Sequence, residues 1–199
     1  MTRNAVFAAL ALLALDYASP SCAGIYKLIP ADEAVAVAKS GMTVTPSQDW
    51  NHLGPRVGRN AESWTLDGLT LNDVTFYGGI AADQTLFKER DKKDKPLPRF
   101  SATMLAPDVV QMFEESYRIA NDTTLFKIDG VAPEKFMGGD GFRFTYTFTS
   151  TDEVERRGEA DGVVIAGKLY MMTLEAPAIY YFDTVLPPYH KLVDSGALK

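Results

Sequence analysis

One cysteine, two histidines, no excess of positive charge and no long apolar run leave this 199-residue chain short of the usual means of several chemistries. A lone Cys22 cannot form an internal disulfide, so a small disulfide scaffold is excluded. His52 and His190 stand far apart, with no H-E-x-x-H, C-x-x-C or G-x-S-x-G around them, so the common signatures of zinc sites and serine hydrolases are missing. The formal charge of −6 repels polyanions, which argues against a nucleic-acid partner. Gly162-Val-Val-Ile-Ala-Gly167-Lys168 has the spacing of a phosphate-binding loop, but four strand formers fill it and Leu169 stands where a hydroxyl must reach magnesium. No cofactor is implied. With 46% hydrophobic and 23% charged residues, what is present is an ordinary globular composition.

The N-terminus combines Arg3, the apolar run Ala5 to Leu15 and the small residues Ser19, Ser21 and Ala23. That layout is the one of a secretory signal, and the run is too short to span a bilayer of ~30 Å comfortably. Residues 1–23 are therefore expected to be a signal peptide and 24–199 a single exported domain, periplasmic or envelope-associated. Two processing routes stay open. Cleavage before Gly24 gives a soluble product, whereas lipidation at Cys22 gives an anchored one and the only expected contact with a membrane. Removing residues 1–23 takes away one base and one acid, so the charge stays at −6.

Period-2 alternation dominates the domain. Phe142, Phe144, Tyr146 and Phe148 alternate with Arg143, Thr145, Thr147 and Thr149, and the next run sets Gly158, Ala160 and Gly162 on alternate positions. One register lays each ring over a small residue and pairs Arg143 with Asp161 on the opposite face. A second tight turn at Gly167-Lys168 leads into a strand from Leu169. Earlier, Asp67-Gly68 reads as a two-residue hairpin pairing Leu66 with Leu69 and Trp64 with Leu71, with Gly78-Gly79 ending the strand. Residues 33–45 suit two short strands around a Ser-Gly turn, although the alanines also suit a helix. Pro107 to Ala120 predicts a helix with an apolar stripe, and Pro187-Pro188 opens a second, over about 187–195. The fold class is α+β: an antiparallel sheet of about six to eight strands covered by these helices.

This order of elements, from the aromatic strand at Phe142 through the Gly-rich strand and the Gly-Lys-Leu-Tyr turn to the helix before Ser195, resembles the PsbP-like proteins over roughly Met42 to Ser195. It also resembles exported bacterial envelope proteins. The resemblance implies a non-enzymatic accessory or binding role in the envelope, and the charged insertion at 88–99 departs from it.

Candidate binding residues are Trp50 and His52, expected in a Pro/Gly-rich loop, with Arg90, Lys92, Lys93 and Lys95 of the charged segment. Aromatic and basic side chains on loops suit docking against an acidic or polar surface. The expected partner is an envelope protein. Two alternatives stay open: a carrier of a small apolar ligand or lipid held between the aromatic sheet face and the 107–120 helix, and an envelope hydrolase using His52.

Overall fold

Rings placed over small residues fix the centre of the fold. The computed structural model describes residues 26–54, 57–123 and 125–199, so Cys22 and the signal segment lie outside the described residues. In chain order the elements are β1 (Tyr26–Ile29), β2 (Val35–Ala36), β3 (Met42–Val44), β4 (Trp50–Leu53), β5 (Ala61–Thr65), β6 (Asp73–Ile80), α1 (Ala106–Asn121), β7 (Phe126–Phe136), β8 (Gly139–Thr149), β9 (Glu155–Ile165), β10 (Lys168–Pro177), α2 (Tyr181–Asp194) and β11 (Ala197–Leu198). Eight strands form one antiparallel sheet in the order β1-β4-β5-β6-β10-β9-β8-β7, and β11-β3-β2 form a small second sheet. The β8/β9 register is the expected one: Phe142 opposite Gly162, Arg143 opposite Asp161, Phe144 opposite Ala160 and Tyr146 opposite Gly158. Residues 31–38 form no helix: only Val35–Ala36 is strand, paired with Thr43 and Val44, and turns flank it.

Two apolar layers sandwich the large sheet. On one face α1 presents the expected stripe, and Phe113 packs 5.3 Å from both Phe144 and Tyr146. Its start is secured by Asp108, which accepts a hydrogen bond from the Leu105 amide at 2.9 Å. On the opposite face α2 buries Phe182, Val185, Tyr189 and Leu192 in a cluster with Trp50, Trp64 and Phe76. Polar contacts fix α2 in place. Tyr189 donates to Asp161 at 2.8 Å, Arg143 donates to the other oxygen of Asp161 at 2.8 Å, and His190 lies 2.6 Å from Glu159.

Several local expectations are corrected. Asp67-Gly68 does not form a two-residue hairpin, because Trp64 pairs with Val74 and the connection runs from 66 to 72. Buried Asn72 closes that loop: its Oδ1 accepts from the Leu66 amide at 2.8 Å, its Nδ2 donates to Asp67, and Thr65 Oγ1 donates to its carbonyl. Side-chain bonding of this kind competes with ladder pairing. Gly78-Gly79 does not end β6; the strand continues to Ile80 across a register shift opposite Leu169 and Met171, with Gly79 at φ +69°. The later tight turn is Ala166-Gly167, and Lys168 already pairs with Ile165. Pro187 and Pro188 stand inside α2 rather than at its start. The carbonyls they leave without helical donors belong to Asp183 and Thr184, both exposed, so water can serve them. Finally, Trp50 and His52 lie in strand β4, not in a loop.

Candidate functional site

Helix α1 packs on β7 and β8, and Leu86, Phe87, Leu97 and Phe100 of the segment before it cover part of the remaining sheet face, leaving a gap between the two. There β5, β6 and β10 turn Ser63, Asp73, Thr75, Thr173 and Glu175 to the bottom of a cleft of about 530 Å³. Tyr117 and Ala120 of α1 form one wall and Phe87, Lys88 and Arg90 another, with Tyr26 and Leu69 at the rim. A volume of this size suits a small molecule or a few side chains. A second depression of about 590 Å³ beside it is lined by charges already engaged with one another: Glu89 meets Arg99 at 3.1 Å and Lys92 at 3.6 Å.

The floor of the cleft is a polar interruption in an apolar row. Along β10, Leu169 and Met171 face α1 within its core cluster, and the next positions of that row are Thr173 and Glu175. Glu175 lies directly opposite Asp73 across the β6/β10 ladder. Tyr117 and Tyr146 donate to the two oxygens of Glu175 at 2.9 and 2.8 Å, while Thr75, itself 2.7 Å from Ser63, donates to Asp73 at 3.3 Å. Among the described residues neither acid forms an ion pair. Arg156 attracts both through space, but its guanidinium is committed to Ser150, Asp152 and the Thr70 carbonyl. Burial pushes Asp73 well above the usual carboxylate range, and the negative charge of Glu175 adds to this. Burial also raises Glu175, against the lowering effect of its two tyrosine donors. Burial, then the acids, pushes the phenols of Tyr77 and Tyr117 up, so they stay protonated donors. Chemically the floor can hold a proton or a cation. Among the described residues no cluster of three or more His, Cys, Asp or Glu is arranged to bind a metal ion.

The residues singled out from sequence are scattered by the fold. Trp50 is fully buried against the α2 side and cannot meet a partner directly. His52, on the same strand, lies 3.6 Å from Glu62, whose oxygens also accept from the Trp64 indole and the Ala38 amide. Both are remote from the cleft face. In the charged segment, Lys92 is held by Glu89 and Lys95 by Asp122 at 3.0 Å, and Lys93 is exposed. Arg90 alone of the four bases lines the cleft, together with Lys88, and neither enters an ion pair among the described residues. The space proposed for an apolar carrier, between the aromatic face and α1, is filled by rings: Tyr117 packs 5.0 Å from both Phe126 and Phe148. Open volume lies beside α1 instead. Asp73, Glu175 and the floor hydroxyls escaped sequence reasoning; the only signal was a Thr and a Glu continuing the apolar Leu169/Met171 row.

Among solved structures, the solution structure of cyanobacterial PsbP (CyanoP) from Synechocystis sp. PCC 6803 superposes with a TM-score of 0.55 at 17% identity, covering 92% of this chain and 99% of that one. The fold is PsbP-like. Two looser overlaps are the Saccharomyces cerevisiae Ran-binding protein Mog1p (TM-score 0.49, 7% identity, 87% of this chain and 95% of that one) and LpqN, involved in cell envelope biogenesis of Mycobacterium tuberculosis (0.36, 10%, 87% and 83%). No protein-family model matches the chain, and no curated protein does. At these identities the PsbP-like assignment concerns architecture alone. The meander β7 to β10 backed by α1 and α2 is the part in which the sequence pattern and the PsbP-like order of elements coincide.

Proposed function

We propose that this chain is an exported accessory protein of the cell envelope that acts by binding, and that the cleft beside α1 is where it binds. The observation that carries the reading is the floor: two opposed carboxylates and a row of hydroxyls, without an ion-pair partner among the described residues, at the bottom of an open volume. Retaining such groups in a sheet face that is otherwise apolar costs stability, and a ligand is the simplest compensation. Export is supported by the charged start, apolar run and small-residue segment of the sequence.

The test is a comparison of native protein with Ala120→Trp, which fills the cleft from an already partly exposed position on α1. Both are recovered from the envelope fraction, and co-purifying small molecules, lipids and cross-linked proteins are identified by mass spectrometry. The reading expects an occupant on the native protein that Ala120→Trp lacks. Equal retention by both removes the cleft from the account.

A further inference from the structure

We infer that the cleft takes a small zwitterion, its ammonium group seated on the Asp73–Glu175 floor and its acidic group held at the mouth by Lys88 and Arg90. The inference rests on the cleft being the binding site and adds the chemistry of its occupant. Two sets of opposite charge line one cavity of about 530 Å³, yet no ion pair joins them. Elsewhere in the same charged segment Lys92, Lys95 and Arg99 pair with carboxylates, and only the exposed Lys93, which does not line the cleft, is also unpaired among the described residues. A ligand carrying both charges would satisfy each set at once, whereas an amine alone would meet a basic mouth and an anion alone an acidic floor.

An independent observation points the same way. Thr173 is only 2% exposed and faces the cleft floor, and among the described residues its hydroxyl has no hydrogen-bond partner. Beside it, one oxygen of Asp73 accepts from Thr75 and the other is free. A free hydroxyl and a free carboxylate oxygen are acceptors of the kind an ammonium group needs, since it carries three donors and no acceptor. The walls suit its stem, because Tyr117, Phe87 and Tyr77 offer ring surface to methylenes and to the cation.

Seating a cation also changes the proton content of the site. The groups facing it are Asp73 and Tyr77 from β6, Glu175 from β10, Tyr117 from α1 and Tyr146 from β8, with Arg156 of β9 acting at longer range and Lys88 and Arg90 at the mouth. Burial raises the proton affinity of both acids, and an ammonium group seated beside them lowers it again, so binding and proton release are linked.

The experiment is isothermal titration of the full folded protein with glycine, γ-aminobutyrate and ε-aminocaproate, against butylamine and butyrate as half-ligands. At least one zwitterion should bind about tenfold or more tighter than either half-ligand, the scale of one charge-assisted hydrogen bond. Its heat should vary with the ionisation enthalpy of the buffer, reporting proton release. Glu175→Gln and Arg90→Ala should each bring the zwitterion down to half-ligand level, while Lys93→Ala, in the same segment, leaves it unchanged. Arg90 is exposed, so its variant tests the idea even if the Glu175 variant folds poorly. Butylamine or butyrate binding as well as the zwitterion, indifference to Arg90→Ala, or no probe binding at all would each overturn the inference. If Ala120→Trp still strips an occupant while every probe fails, the cleft remains the binding site and only the zwitterion falls.

Discussion

Adding one methyl group at Gly158 should damage both the fold and the cleft. A Cβ there would stand closer than 3.0 Å to three ring carbons of Tyr146. The ring cannot retreat, because Phe126 stacks on it at 5.1 Å and Phe113 closes the other side at 5.3 Å. Overpacking of this kind costs about 1–3 kcal/mol. Any shift of the ring also breaks the Tyr146 to Glu175 bond, leaving a half-buried carboxylate short of a donor at a further ~1.5–3 kcal/mol. Together Gly158→Ala should lose about 3–5 kcal/mol, which for a chain of this length lowers the melting temperature by about 6–20 °C. Gly130→Ala is the matched control. Its Cβ would meet nothing nearer than Thr145 Oγ1 at 3.6 Å, an ordinary contact, so its effect should stay within ~0.5 kcal/mol. Urea unfolding of both variants, with a cycle adding Tyr146→Ala, gives the decisive number. Removing the ring should cost much less in the Gly158→Ala background, since the clash disappears with it. Equal losses at Gly158 and Gly130, or strict additivity in the cycle, would refute the ring-over-glycine account.

Other outcomes follow from the same structure. Phe144→Ala should cost ~3–5 kcal/mol and Thr145→Ala less than half of that, by chemical denaturation, because Phe144 is 1% exposed under α1 and Thr145 faces the other way. Asp73→Asn should raise the melting temperature at pH 8. The acid's pKa is higher folded than unfolded, so its contribution to stability is fully present below the unfolded value and is lost as pH rises through the folded one; the advantage of Asn should therefore shrink towards pH 4. Asp152 behaves in the opposite sense: held down to about 2 by Ser150 and the Val154 amide, its stabilisation is present above the usual carboxylate range and fades as pH falls towards 2, a slope that Asp152→Asn should remove from acid melting curves. For export, intact mass of protein from the envelope should be lower by about 2.4 kDa, the summed residue masses of 1–23, if cleavage precedes Gly24. A diacylated Cys22 would decide for an anchor instead, and a full-length cytosolic protein would refute export.

The C-terminal meander was readable because two independent constraints, rings over small residues and Arg143 opposite Asp161, agree on a single register. Strand β7 was not, and the reason is its position. As an edge strand it buries little except Phe126 and Phe136, and it carries Pro133, which only an edge tolerates, so no period shows in Phe126–Phe136. The four-residue β4 was hidden between Pro46 and Gly54, where turn residues outweigh so short a run. The cleft was the least legible feature. Asp73 and Glu175 belong to different halves of the chain and become a pair only through the β6/β10 ladder, and no local pattern encodes such a contact. Arg90 was named for its charge. What sets it apart from Lys92 and Lys95 is that no carboxylate among the described residues pairs with it, which only the folded chain reveals.

The join between β6 and β10 also has a bearing on how the chain comes to be folded. β7 to β10 follow one another through short turns and pair in sequence order, so they can assemble early from local contacts. β6 has no such neighbour on one side until β10 has been made, although it is buried along most of its length. Synthesis runs from the N-terminus, so the ribosome releases the dependent half first. Until the last third emerges, β6 offers its unpaired apolar edge to any other extended chain, including a second nascent copy of itself. A fragment ending after α1 should therefore aggregate, whereas one beginning at α1, which keeps the helix that covers Phe144 and Tyr146, should stay soluble longer.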